Sequence, residues 1–268
     1  MTDLWASLAV LGAVVFLSEA TRWAARHFSG VWRIYLLEAA STFQLCSCCH
    51  EQKLLGETAR LPVSLALTYI MTTIHRATFR GSACNPCGSL ERVYRGVSTV
   101  QTAVALIACQ FAAAVAAQFF SASVWSLGLS DIHLRHQRFG FSCFDPLGGT
   151  VLEAWAVELA CAFVVQSAAM HVHKVDEKLR DHYIAAVITA LVYAGGNISG
   201  AMFNPVLAFS VQFPCSGHTY LEYCLVYWLG PILGVASCIL LFEKIIPFLS
   251  GQSTIGLDVT AVQKQKAQ

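Results

Sequence analysis

Long apolar runs alternate with short polar segments along the whole chain. The first, Leu4–Ser18, is followed by Glu19, Arg22, Arg26 and Arg33. Its basic flank comes after the run and no small-residue cleavage site follows. It therefore predicts an extra N-terminal spanning helix rather than a cleaved leader. The second run, Ile34–Cys49, holds Glu38. The third, Leu61–Ile74, is shorter than a full span and leads through His75, Arg76 and Arg80 into Gly81–Cys87. After Arg92 and Arg95 comes Val97–Leu129, rich in small residues that let helices approach closely. Asp131–Pro146 reads as a polar loop containing Cys143. Beyond it lie Leu152–Met170 with Glu158, the charged segment His171–Arg180, Ile184–Ala194, Gly200–Val206 and a last run, Leu221–Phe242.

Two landmarks recur with one period. Gly81-Ser-Ala-Cys-Asn85-Pro86-Cys87 and Gly200-Ala-Met-Phe-Asn204-Pro205-Val206 each place a Gly four residues before Asn-Pro, and the two Asn are 119 residues apart. Glu38 and Glu158, each within an apolar run, are 120 apart. Asn-Pro alone is a common turn dipeptide. A matched pair with matched buried carboxylates points to an internally duplicated membrane protein with discontinuous helices.

Composition agrees. Of 268 residues, 56% are hydrophobic and 12% charged, against about 25% charged in soluble domains. The net charge of +1 carries no nucleic-acid signal. Loop charge sets the orientation. Placing Arg22–Arg33, Arg76–Arg95, Lys174–Arg180 and the C-terminal end in the cytosol puts 13 of 17 Lys and Arg there, leaving Lys53, Arg60, Arg135 and Arg138 opposite. The two Asn-Pro stretches then enter from opposite sides, so the halves are inverted.

Irregular backbone at membrane depth survives where it lines a water-filled path or is buried in protein. Pro at a first helical turn gives up an N–H with no partner anyway, so Asn85-Pro86 and Asn204-Pro205 read as half-helix starts. Inverted symmetry brings their positive dipole ends together near the midplane, where they repel cations and protons. The Asn amides offer donors to a passing water, and Glu38 and Glu158 accept loop N–H groups as structural anchors rather than proton carriers. This predicts a pore for small neutral molecules.

These residues resemble the aquaporins, in their unorthodox (superaquaporin) branch, over nearly the whole chain from about residue 31. The resemblance rests on Glu38 in LLEAASTFQL, the Asn85-Pro86-Cys87 triplet, ITALVYAGGNISGAMFNP, Cys215 nine residues after the second triplet, and VYWLGPILG at Val226–Gly234. It implies an all-α membrane protein: a right-handed bundle of six spanning helices and two re-entrant half-helices in inverted repeat. The N-terminal hydrophobic helix would be additional. It further implies a homotetramer with one pore per subunit, in the endoplasmic reticulum membrane or also the plasma or a vesicle membrane. Water, glycerol and hydrogen peroxide are the permeants it suggests, with no cofactor and no metal. The expected divisions are 1–30 (N-terminal segment), 31–130 (first repeat), 131–150 (connecting loop), 151–248 (second repeat) and 249–268 (polar tail).

Departures from the family pattern shape the expected filter. Val206 replaces the usual Ala of the second triplet and is expected to crowd the constriction. The filter positions fall on Leu207, Val192, Ala201, and Leu65 or Leu67, an apolar ring without the usual Arg or any other fixed cation. Such a ring slows water and admits larger, less polar solutes.

Other residues have plain readings. The Cys46-Ser-Cys48-Cys49-His50 cluster lacks partners for a tetrahedral metal site and reads as packing. Cys143 and Cys215 share the non-cytosolic side, where a disulfide and free thiols are both open. Asn197-Ile-Ser199 fits the glycan acceptor pattern but lies too deep for a glycan. His171, His173 and His182 read as solvated interfacial residues rather than a pH gate. Three rivals to a channel are a proton-coupled transporter, a membrane enzyme and a pore-closed scaffold. The first needs buried carboxylates beyond the two anchors, and apart from Glu153 near a helix end none is evident. The second needs a nucleophile–base or metal arrangement, and none is evident in the sequence.

Overall fold

The computed structural model describes residues 2–143, 147–213 and 215–250. Beyond Ser250, the polar tail lies outside the described residues. The apolar runs become helices: α1 (Thr2–Ala24), α2 (Gly30–Gly56), α3 (Leu61–Thr78) and α5 (Val100–Ser126) in the first half. The second half holds α7 (Val151–His171), α8 (Arg180–Ser199) and α10 (Tyr220–Leu249). Each Asn-Pro starts a short helix, α4 (Pro86–Tyr94) and α9 (Pro205–Val211). Among the described residues α1, α5, α7 and α10 are long and apolar enough to cross a membrane by composition alone. Helices α2, α3 and α8, of 27, 18 and 20 residues, carry more polar groups, many of which face protein rather than lipid.

The duplication shows in the packing. Helix α2 lies along α5 as α7 lies along α10, and α3 meets α8 between the halves. The short helices cross over: α4 packs on α5 and α10, α9 on α5 and α2, and their ends meet. Gly234 allows the α7–α10 crossing, since a methyl there would fall on the Leu159 carbonyl and stand 2.9 Å from Ala162. Two wider π turns in α10, Leu225–Leu229 and Leu241–Ile245, immediately precede Pro231 and Pro247. Proline removes a helical N–H and its ring crowds the preceding turn, and a π turn absorbs both.

Helix α1 has no counterpart in the second half. Val10, Leu11 and Val14 pack on Cys48, Met71, Phe43 and Phe120. In lipid such contacts bring no hydrophobic gain, so hydrogen bonds weigh more, and two buried polar clusters pin α1. At one end Glu51 accepts Ser7 Oγ at 2.5 Å and Trp125 Nε1 at 2.9 Å, with His133 Nε2 at 3.0 Å. At the other, fully buried Arg22 donates to Glu19 (2.7 Å), Ser41 (3.2 Å) and Gln44, whose own amide reaches Thr78 at 3.1 Å.

Two expectations are corrected here. Residues 131–138 are not loop but a helix, α6 (Asp131–Arg138), because Ser130 caps it and Asp3 of α1 accepts the Asp131 N–H at 2.9 Å. Burial lowers His136, on this helix, below the ordinary imidazole range. Glu38 and Glu158 are also not the only buried carboxylates: Glu51 is a third.

Candidate functional site

The loop before each short helix must turn its N–H groups inward, and in both a non-glycine residue adopts a left-handed conformation just ahead of the Asn: Cys84 (φ 50°) and Phe203 (φ 35°). Such backbone persists only where its surroundings over-determine it, and here a buried carboxylate does so. Glu38 accepts Ala83 N at 3.0 Å, Cys84 N at 2.7 Å and Gln110 Nε2 at 2.7 Å. Glu158 accepts Ser199 Oγ at 2.7 Å, Met202 N at 2.9 Å and the N–H of Phe203.

Each Asn then serves both halves. Asn85 Oδ1 caps α4 by accepting Cys87 N at 2.9 Å, and Asn204 Oδ1 caps α9 by accepting Val206 N at 3.1 Å and Leu207 N at 3.4 Å. The amide nitrogens cross over: Asn204 Nδ2 donates to Cys84 O at 2.8 Å and Asn85 Nδ2 to Phe203 O at 3.4 Å. An amide NH2 carries two hydrogens, so each Asn keeps one beyond this handshake.

Both Asn line a cavity of about 780 Å³. At one end stand His75, Arg76 and Gln166; at the other, Gln52, Lys53, Ser64 and Gln212. Of the expected filter, Val192, Ala201 and Leu207 are on its wall. Leu65 is not among the lining residues; Ser64, Leu67 and Thr68 stand there instead, so the α3 register favours the Leu67 alternative. Cys87 lines the cavity. Pro86 and Pro205 are buried, and Val206 points into a core with Cys46, Ala114 and Ala117, so it does not crowd the path as expected. None of the filter positions on the wall carries a charge, but Lys53 lines the same cavity. It lies on the last turn of α2, which continues beyond Cys49 to Gly56.

The remaining residues sit as follows. Cys143 and Cys215 form a disulfide, tying the segment before α7 to the segment after α9. Cys46 and Cys48 are in apolar cores, and His50 Nε2 lies 3.0 Å from Ser210 Oγ. His171 and His173 contact their own helix carbonyls, His182 meets Tyr69 at 2.9 Å, and Glu153 closes a capping box with Thr150. Asn197 is on an exposed face near the end of α8. Lys53 and Gln212 are, with Gln52, Ser64 and Gln166, polar wall residues that pattern reading did not place at the cavity. For Lys53 and Gln212 the signal is a polar residue within one turn of a helix end facing the cavity.

The profile of a family described as major intrinsic protein matches residues 61–242. The chain belongs to that family. Among its relatives, human aquaporin-11 is 36% identical over 259 residues, 95% of each chain, and horse aquaporin-11 is 38% identical over 261 residues, again 95% of each. Mouse aquaporin-12 is 29% identical over 257 residues, covering 93% of this chain and 89% of its own. The protein is thus an aquaporin-11-like major intrinsic protein, an integral multi-pass membrane protein of all-helical fold. Membership in this family supports a membrane channel for water or small solutes.

Proposed function

We propose that the cavity is a passive pore for water and small neutral solutes, glycerol and hydrogen peroxide among them. One observation carries it: Asn85 and Asn204, brought from inverted halves, bond to each other's loops and share the wall of one cavity. An amide fixed in this way presents a donor to a solute oxygen and leaves no acceptor array for a cation. A ring of Leu67, Val192, Ala201 and Leu207 is apolar, which slows water through poor hydrogen bonding and admits larger, less polar solutes. Glu38 and Glu158 hold the loops, and every oxygen bond found on them is to a loop or helix donor. A homotetramer in the endoplasmic reticulum membrane rests on the resemblance of the sequence alone.

Purified protein in liposomes, followed by stopped flow for water, glycerol and hydrogen peroxide side by side, tests the reading. Flux above empty liposomes that Asn85→Asp and Asn204→Asp both abolish supports a channel. No flux for any solute, from folded protein, replaces it with a pore-closed scaffold.

A further inference from the structure

Lys53 stands in the wall of the cavity on the last turn of α2, at the end that loop charge places away from the cytosol. Its ammonium donates to Gln212 Oε1 at 2.7 Å and Val211 O at 3.3 Å, with Cys215 Sγ at 3.7 Å. All three acceptors belong to the end of α9 and the segment after it, the stretch that also supplies Leu207. No carboxylate lies within ion-pair distance of Lys53 among the described residues; nearby Glu57 is engaged by Arg135 at 3.5 Å. A buried or half-buried ammonium without a counter-ion is an electrostatic barrier to other cations. Its third partner, a disulfide sulfur, is a weak acceptor, so one N–H remains to donate to an entering oxygen.

The ammonium is also held in place. Gln212 is buried, and its amide nitrogen packs so close to Gly200 that a methyl at Gly200 would stand 2.5 Å from it. Gln212 therefore links Lys53 to the loop bearing Ala201. The Cys143–Cys215 disulfide and the Ser216 N–H to Cys143 carbonyl bond (3.0 Å) fix the far side of the same mouth.

We infer that Lys53, positioned by Gln212 and the Val211 carbonyl, is the fixed cation of the outer mouth and the residue that bars small cations from entering there. It comes from α2, not from the turn after the second Asn-Pro, where Leu207 leaves no charge. This rests on the channel reading and names the specificity determinant of the same cavity.

The test uses liposomes carrying wild type, Lys53→Met, Lys53→Gln or Lys53→Arg. The readout is flux of whichever neutral solute wild type carries fastest, with guanidinium or urea added as a competitor. These two have nearly the same shape and differ in charge. Guanidinium is expected to inhibit Lys53→Met at roughly tenfold lower concentration than wild type, as loss of one nearby charge implies, while urea inhibits both alike. Lys53→Arg keeps the wild-type response, and Lys53→Gln gives the same answer should Lys53→Met fail to fold. Equal guanidinium inhibition in wild type and the neutral variants overturns the inference and leaves the channel standing. So does a parallel gain for urea, which means a wider mouth. Absence of wild-type flux overturns the channel reading and this inference with it.

Discussion

The two re-entrant loops are built to one plan and held with unequal force. In the first, Glu38 takes two backbone N–H groups and Gln110, which has a second partner in Ser89 at 3.3 Å. In the second, Glu158 takes two backbone N–H groups and Ser199, whose hydroxyl also accepts Ala201 N at 3.1 Å and whose carbonyl accepts Tyr227 OH at 2.7 Å. The second loop alone is followed by a disulfide and by Gln212. The first is instead touched from outside by α1, whose Glu19 accepts Arg80 at 2.8 Å. Duplication thus conserved the Asn-Pro geometry and left each half to find its own support. The half whose short helix is almost wholly buried has the denser network.

The largest expected difference comes from the anchors. Glu158→Ala orphans Ser199 Oγ and the N–H groups of Met202 and Phe203, and should lower stability by about 3–5 kcal/mol. Glu38→Ala should cost about 1 kcal/mol less, because Gln110 keeps Ser89. Thermal unfolding in detergent measures both, and equal losses would mean that the loops are held alike. Next comes the disulfide: Cys215→Ser should cost about 2–4 kcal/mol, with Cys143→Ser matching it and the double variant adding nothing. The first loop has no equivalent, so reductant should destabilise only the second half, as hydrogen exchange of α9 against α4 would report.

Arg22→Ala should cost about 2–3 kcal/mol through the orphaned Gln44 and Ser41 while leaving solute flux per folded protein unchanged. A loss of flux would show that α1 supports the cavity and not merely the bundle. The smallest contrast is between two glycines with the same left-handed backbone, Gly81 (φ 84°) and Gly200 (φ 85°). A methyl at Gly81 meets open space, whereas at Gly200 it strikes Gln212. Gly81→Ala should cost about 1 kcal/mol from backbone strain alone, and Gly200→Ala about 1–2 kcal/mol more. Calorimetry of the pair separates conformation from crowding.

Much of this was legible in the chain. Asn-Pro after a glycine, a carboxylate inside an apolar run and a fixed period are local signals, and the extra first helix was readable from its length and late basic flank. The misses are tertiary. Glu51 and Lys53 sit in a polar segment that looks like the start of a loop, yet no Pro or Gly interrupts the helix before Gly56, so α2 continues and turns one to the α1 interface and the other to the cavity. Leu65 against Leu67 is a question of helix rotation, which a residue count from Asn85 cannot fix. Val206 was misplaced for a related reason: two adjacent residues of a short helix face different surroundings, and only its neighbour Leu207 reaches the cavity wall. Arg22 seemed a cytosolic flank charge, and its burial depends on Gln44 and Thr78, which no local pattern connects to it.

The buried cluster around Glu51 has a consequence for how the protein is made. Its carboxylate is needed by Ser7 at the start of the chain, while its partner His133 lies 82 residues further on. At a synthesis rate of about 5–20 residues per second, that leaves roughly 4–16 seconds in which a nascent hairpin of α1 and α2 carries an incompletely partnered acid. During that interval the hairpin cannot seal against lipid without cost. The cluster is complete only once α6, in the segment that joins the first half to the second, has been synthesised.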